Sequence, residues 1–106
     1  MVWSRPAWFT GLLRRINSRI RRLKLTRAEA ASLRAELKDL EGHAEHAYDQ
    51  MYEVHDYHSA KEWKDEAVIG LIRAVKLAEK LGLDAEIERL NKRMVHILNV
   101  WSHQFR

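Results

Sequence analysis

The chain has 106 residues, enough for one domain and one modest core. It has no cysteine, which excludes disulfides, thiolate chemistry and Cys-based zinc sites. A single proline, Pro6, and four glycines leave few helix breakers, and no apolar run of eighteen or more residues is present to span a bilayer.

The net charge of +4 conceals three blocks. Residues 1–27 hold eight basic groups and no acid. Residues 28–66 hold four basic and eleven acidic groups, a net of −7. Residues 67–106 hold seven basic and four acidic groups, a net of +3. Such blocks point to an interaction arm, or to one segment folding onto another of opposite sign.

The first predicted helix runs from about Pro6 to Lys24, with Ser4 as its cap and Pro6 in its first turn. Trp8, Phe9, Leu12, Leu13, Ile16, Ile20 and Leu23 share a face about 140° wide. Arg14, Arg21 and Arg22 lie opposite it, and Arg15 adds to the charge. Residues 1–25 are therefore read as a basic amphipathic N-terminal helix, and 26–106 as a helical bundle.

Thr26-Arg27-Ala28-Glu29 has the capping-box pattern and opens a long second helix over 27–58. Its apolar positions, Ala30, Leu33, Leu37, Leu40, Ala44, Ala47, Met51, Val54 and His58, alternate in steps of three and four. This is a heptad seam, the pattern of helices packed side by side at a shallow angle. Gly42 weakens the helix without shifting the register. Ala44 and Ala47 allow a partner helix to come close.

Ser59-Ala60-Lys61-Glu62 is a second capping box and predicts a helix over 60–81. Its seam is Ala60, Trp63, Ala67, Gly70, Ala74, Leu77 and Leu81. Val68, Ile69, Ile72 and Val75 fall away from that seam, so residues 67–75 are apolar nearly all round and must be covered on two sides. Gly82 ends the helix as a left-handed cap, with Leu83 as its hydrophobic contact. Asp84 is read as the cap of the last helix, over 85–105, with a core face of Ile87, Leu90, Met94, Ile97, Leu98, Trp101 and Phe105.

The expected fold is thus all-α: an antiparallel bundle of about four helices with coiled-coil-like packing. A second helix of about 48 Å overhangs a third of about 33 Å. Both the overhang and the second apolar face of residues 67–75 ask for another subunit, so a homodimer is expected, with Val68, Ile69, Ile72 and Val75 at its interface.

No catalytic pattern stands out. None of the five serines sits in a strained elbow, and no phosphate-binding glycine loop is present. A non-enzymatic scaffold or adaptor without a cofactor is expected. Four of the six histidines lie between His43 and His58, among carboxylates. His43/His46 and His55/His58 have i, i+3 spacing, but the two pairs lie about 18 Å apart along a helix. His55 and His58 are the metal-ligand candidates. His58 on the seam also suggests a pH response, because protonation there would loosen packing. His96 and His103 are placed opposite the core of the last helix, unable to converge with the second.

The N-terminal segment carries the functional reading. Arg14, Arg15, Arg21 and Arg22 with Trp8, Phe9, Leu12 and Ile16 suit an anionic membrane surface or an acidic protein partner. The same arginines suit nucleic-acid phosphate, which leaves the broad apolar face unexplained. A third alternative is a His/carboxylate metal-binding bundle. Packing of the segment on its own bundle explains both features of the segment, and its acid-free, Arg-rich composition also resembles a mitochondrial presequence. The localisation expected is cytoplasmic, with peripheral attachment to a membrane.

Overall fold

The computed structural model describes residues 25–105, which form α1 (Arg27–Glu53), α2 (Tyr57–Leu81) and α3 (Asp84–Gln104). The chain runs up, down and up, each helix antiparallel to the one before it. Among the described residues there are three helices, not four, and no strand. The predicted N-terminal helix lies outside them.

Thr26 caps α1 as expected: its hydroxyl accepts a hydrogen bond from the Glu29 N–H at 3.1 Å. The end of α1 differs from the expectation. The helix stops at Glu53, and Val54 turns to an extended conformation (φ −79°, ψ 153°). Asp56 then opens α2, its carboxylate accepting from the Ser59 N–H at 2.8 Å. The capping residue is therefore Asp56, and Ser59 lies inside the first turn. A carboxylate at the positive end of the helix is a stronger acceptor than a hydroxyl, so this frame wins without glycine or proline.

This break removes the predicted overhang. At 1.5 Å per residue, the 27 residues of α1 and the 25 of α2 span about 40 and 37 Å. Ala30 and Leu33 pack against the core at the start of α1. The break also takes His58 off the seam. It is an exposed residue of the first turn of α2, 3.2 Å from Glu62.

The end of α2 follows expectation. Gly82 takes φ 72°, ψ 30°, open to glycine at no steric cost. Gly82 N–H donates to the Glu79 carbonyl at 3.2 Å and Leu83 N–H to the Ala78 carbonyl at 2.9 Å, which together form a Schellman closure. Leu83 packs against the core. It also occupies the cap position of α3, so Asp84 is the first helical residue and not the cap. With Glu86, it places negative charge in the first turn, where the helix dipole favours it.

α1 and α2 meet along small residues. Ala44, Ala47, Ala60, Ala67 and Ala74 are buried, and a Cβ added to Gly70 would lie 3.1 Å from the Ala44 Cβ. The backbones approach at that level because neither helix carries a larger side chain there. Bulk comes from Leu37, Met51 and Leu71 and, on α3, from Ile87, Leu90 and Ile97. Leu71 and Ala78 are core residues outside the predicted seam. They belong to the second buried side of α2, because α2 is the central helix and packs on both neighbours. Leu98, expected in the core, is 42% exposed, while Val100 packs against it.

Candidate interaction surfaces

Of the residues singled out from the sequence, Trp8, Phe9, Leu12, Arg14, Arg15, Ile16, Arg21 and Arg22 lie outside the described residues. The expected oligomer interface lies within them. Ile69 and Ile72 are 45% and 39% exposed on α2, with Val68 and Val75 half-buried beside them. The central position of α2 therefore covers the seam and the side through Leu71 and Ala78, while Ile69 and Ile72 stay open.

His55 lies exposed in the turn between α1 and α2. The His58 imidazole sits 3.2 Å from Glu62, and that of His43 3.5 Å from Glu66. His46 stands edge-on to Trp63 at 6.1 Å between ring centres. Among the described residues, no group of three or more His, Asp or Glu side chains could hold a metal ion. The two histidine pairs do not converge.

The groove between α1 and α3 holds a polar ladder that sequence reasoning missed. Arg89 on α3 pairs with Glu41 on α1 and with Glu86 on its own helix. One turn further on, Arg93 grips Glu45 through two parallel hydrogen bonds of 2.7 Å. The Arg93 guanidinium also lies 4.8 Å from the centre of the Tyr48 ring. Next, the Tyr48 hydroxyl is 3.4 Å from His96 Nε2 and 3.1 Å from the Tyr52 hydroxyl. His96 thus does reach α1, contrary to the sequence-based placement, because it lies on the flank of α3 that turns toward α1.

Glu41/Arg89, Glu45/Arg93 and Tyr48/His96 are each separated by 48 residues. The constant offset records two helices running in the same direction in fixed register. The signal was present in the sequence: Glu41, Glu45 and Tyr48 follow the same four-then-three spacing as Arg89, Arg93 and His96.

The ladder sets the local proton affinities. The hydrogen bond from Arg89 holds the Glu41 carboxyl below the usual carboxylate range, against the opposing effect of burial. Glu41 therefore contributes stability above its ordinary pKa and loses it as pH falls through the lowered value. Burial, reinforced by the Tyr52 hydroxyl, pushes the Tyr48 phenol up to about 12.

Below the ladder, aromatic rings gather at the end of the bundle where α1 meets α2. Tyr52 contacts Phe105 at 5.8 Å, Phe105 stacks on Trp101 at 5.0 Å, and Trp101 contacts Tyr57 at 5.3 Å. The Lys64 amino group lies 5.4 Å from the Trp101 ring centre. These rings close the end of the bundle at the turn between α1 and α2. A shallow open depression nearby is lined by Glu62, Trp63, Asp65 and Glu66.

No helix among the described residues is long and apolar enough to cross a membrane. Comparison of the chain with family models, curated proteins and solved structures gives no significant match.

Proposed function

We propose that the chain is a non-enzymatic helical scaffold whose basic amphipathic N-terminal segment docks on an anionic membrane surface. The observation that carries this reading is the pairing, within the bundle, of three carboxylates of the acidic block. Glu41 and Glu45 take their counter-charges from Arg89 and Arg93 of α3, and Asp65 takes its own from Lys61 and Lys64. The bundle thus supplies cations for these carboxylates from within residues 25–105. These three carboxylates need no counter-charge from the basic N-terminal segment, and the apolar face of that segment suits the lipid interface better than it suits phosphate alone.

The test is flotation of the full chain with vesicles of anionic or neutral phospholipid. The expected result is co-flotation with anionic vesicles, lost when Arg14, Arg15, Arg21 and Arg22 are changed to Gln. Loss is also expected for Trp8→Ala with Phe9→Ala, because insertion and charge act together. Absence of flotation with anionic vesicles would overturn the reading. Salt-sensitive binding to RNA or DNA without lipid preference would assign the same arginines to nucleic acid.

A further inference from the structure

The exposed face of α2 has a symmetry that its apolar content alone does not require. Asp65, Ile69, Ile72 and Lys76 follow one another in steps of four, three and four, which puts them on one side of the helix. The spacing is the same read from either end, while the charges at the two ends are opposite. The isoleucines are 45% and 39% exposed, the Asp65 side chain is 46% exposed, and Lys76 is exposed.

We propose that this face is covered by a second copy of the chain, the two α2 helices crossing antiparallel about a twofold axis between Ile69 and Ile72. A twofold interface must be self-complementary: each residue meets its symmetry mate's counterpart. The antiparallel arrangement sets Ile69 against Ile72 of the other protomer and Asp65 against Lys76, each contact occurring twice. Along one edge Glu66 then meets Arg73, and along the other Val68 meets Val75. A parallel arrangement about the same face sets Asp65 against Asp65 and Lys76 against Lys76, two repulsions in place of two attractions.

Lys61 and Lys64 lie 3.8 and 2.6 Å from Asp65 on its own helix, so the partner's Lys76 shares that carboxylate with two lysines, and the Glu66–Arg73 pair along the edge carries the rest of the complementarity. The like-charge meetings in this register are Glu62 with Glu79, at the ends of the contact, and Lys76 with the two lysines beside Asp65. α3 widens the apolar surface. Because Lys64 is level with Trp101, Leu98 lies level with Val68 one turn further along, and Leu98 and Val95 are 42% and 57% exposed. A contact with two isoleucines per protomer at its centre is small, so the dimer is expected to dissociate in the micromolar range, roughly.

Analytical ultracentrifugation of the full chain without lipid tests this, and its outcome is independent of the flotation result. The wild-type chain should sediment at twice the protomer mass at high concentration and dissociate on dilution. Ile69→Asp should be monomeric with an unchanged helical circular dichroism spectrum. Asp65→Lys and Lys76→Asp should each raise the dissociation constant about tenfold, since each reverses two contacts per dimer. Combining the two substitutions restores both pairs with their charges exchanged and should give a dimer tighter than either single variant. A wild-type chain monomeric throughout, an Ile69→Asp chain that still dimerises, or a double variant no tighter than the singles would each overturn the proposal.

Discussion

At the scale of single residues, the two helix-interior glycines Gly42 and Gly70 differ in what their missing side chains leave room for. Gly42 on α1 has nothing within 4 Å of where a Cβ would stand, and it is exposed. Gly42→Ala should stabilise the chain by about 0.5–1 kcal/mol, the ordinary gain of alanine over glycine in a helix. Gly70→Ala has the same propensity gain, but its methyl meets the Ala44 methyl at 3.1 Å, and the nearest further atoms, at 3.5 and 3.6 Å, are backbone. The helices must part there, and a net loss of about 1 kcal/mol is expected. Chemical denaturation of both variants checks the contrast. Equal stabilisation by the two would show that α1 and α2 are not held at that distance. The close approach was legible in the sequence, because Gly70 and Ala44 both fall on seams. The Glu45–Arg93 pairing was not read there, since a seam of apolar residues says which faces meet and nothing of the polar flanks beside them.

At the scale of elements, the boundary between α1 and α2 separates what a periodic pattern can fix from what it cannot. The seam through Leu37, Ala44, Ala47 and Met51 is real, and it continues in phase through Val54 to His58, so periodicity alone runs the helix on. Two overlapping cap patterns compete within four residues, Asp56 with Ser59 and Ser59 with Glu62, and they differ in the strength of the acceptor. Asp56 prevails, and the hydrogen bonds it accepts from Ser59 hold its carboxyl below the usual range. Asp56→Ala should lower the melting temperature at pH 7, and Ser59→Ala should lower it less. A group with a lowered folded-state pKa contributes above its ordinary value, 3.8 here, and loses that contribution as pH falls through the lowered one. The gap between wild type and Asp56→Ala should therefore narrow as pH falls below about 4 and close once the carboxylate is protonated. A gap of the same size at pH 2.5, followed by thermal circular dichroism, would count against the cap. The other boundary, at Gly82, was readable because only one residue there accepts a left-handed conformation without strain.

At the scale of the whole molecule, the architecture is a three-helix bundle with a central helix, closed along one groove by ions and at one end by aromatic rings. Composition and seams were enough to identify an all-α bundle. They placed three helices within the described residues, as found, with a fourth outside them, and a length mismatch that the turn at Val54–Asp56 removes. We propose residues 26–106 as a self-contained scaffold and the N-terminal segment as its docking arm. Thermal unfolding of residues 26–106 beside the full chain tests it most directly, at equal concentration and without lipid. Both should melt cooperatively, with midpoints within a few degrees of each other, since the shorter chain keeps every helix and ion pair described above. A shorter chain that melts roughly 10 °C lower, or without cooperativity, would contradict it and make residues 1–25 part of the core.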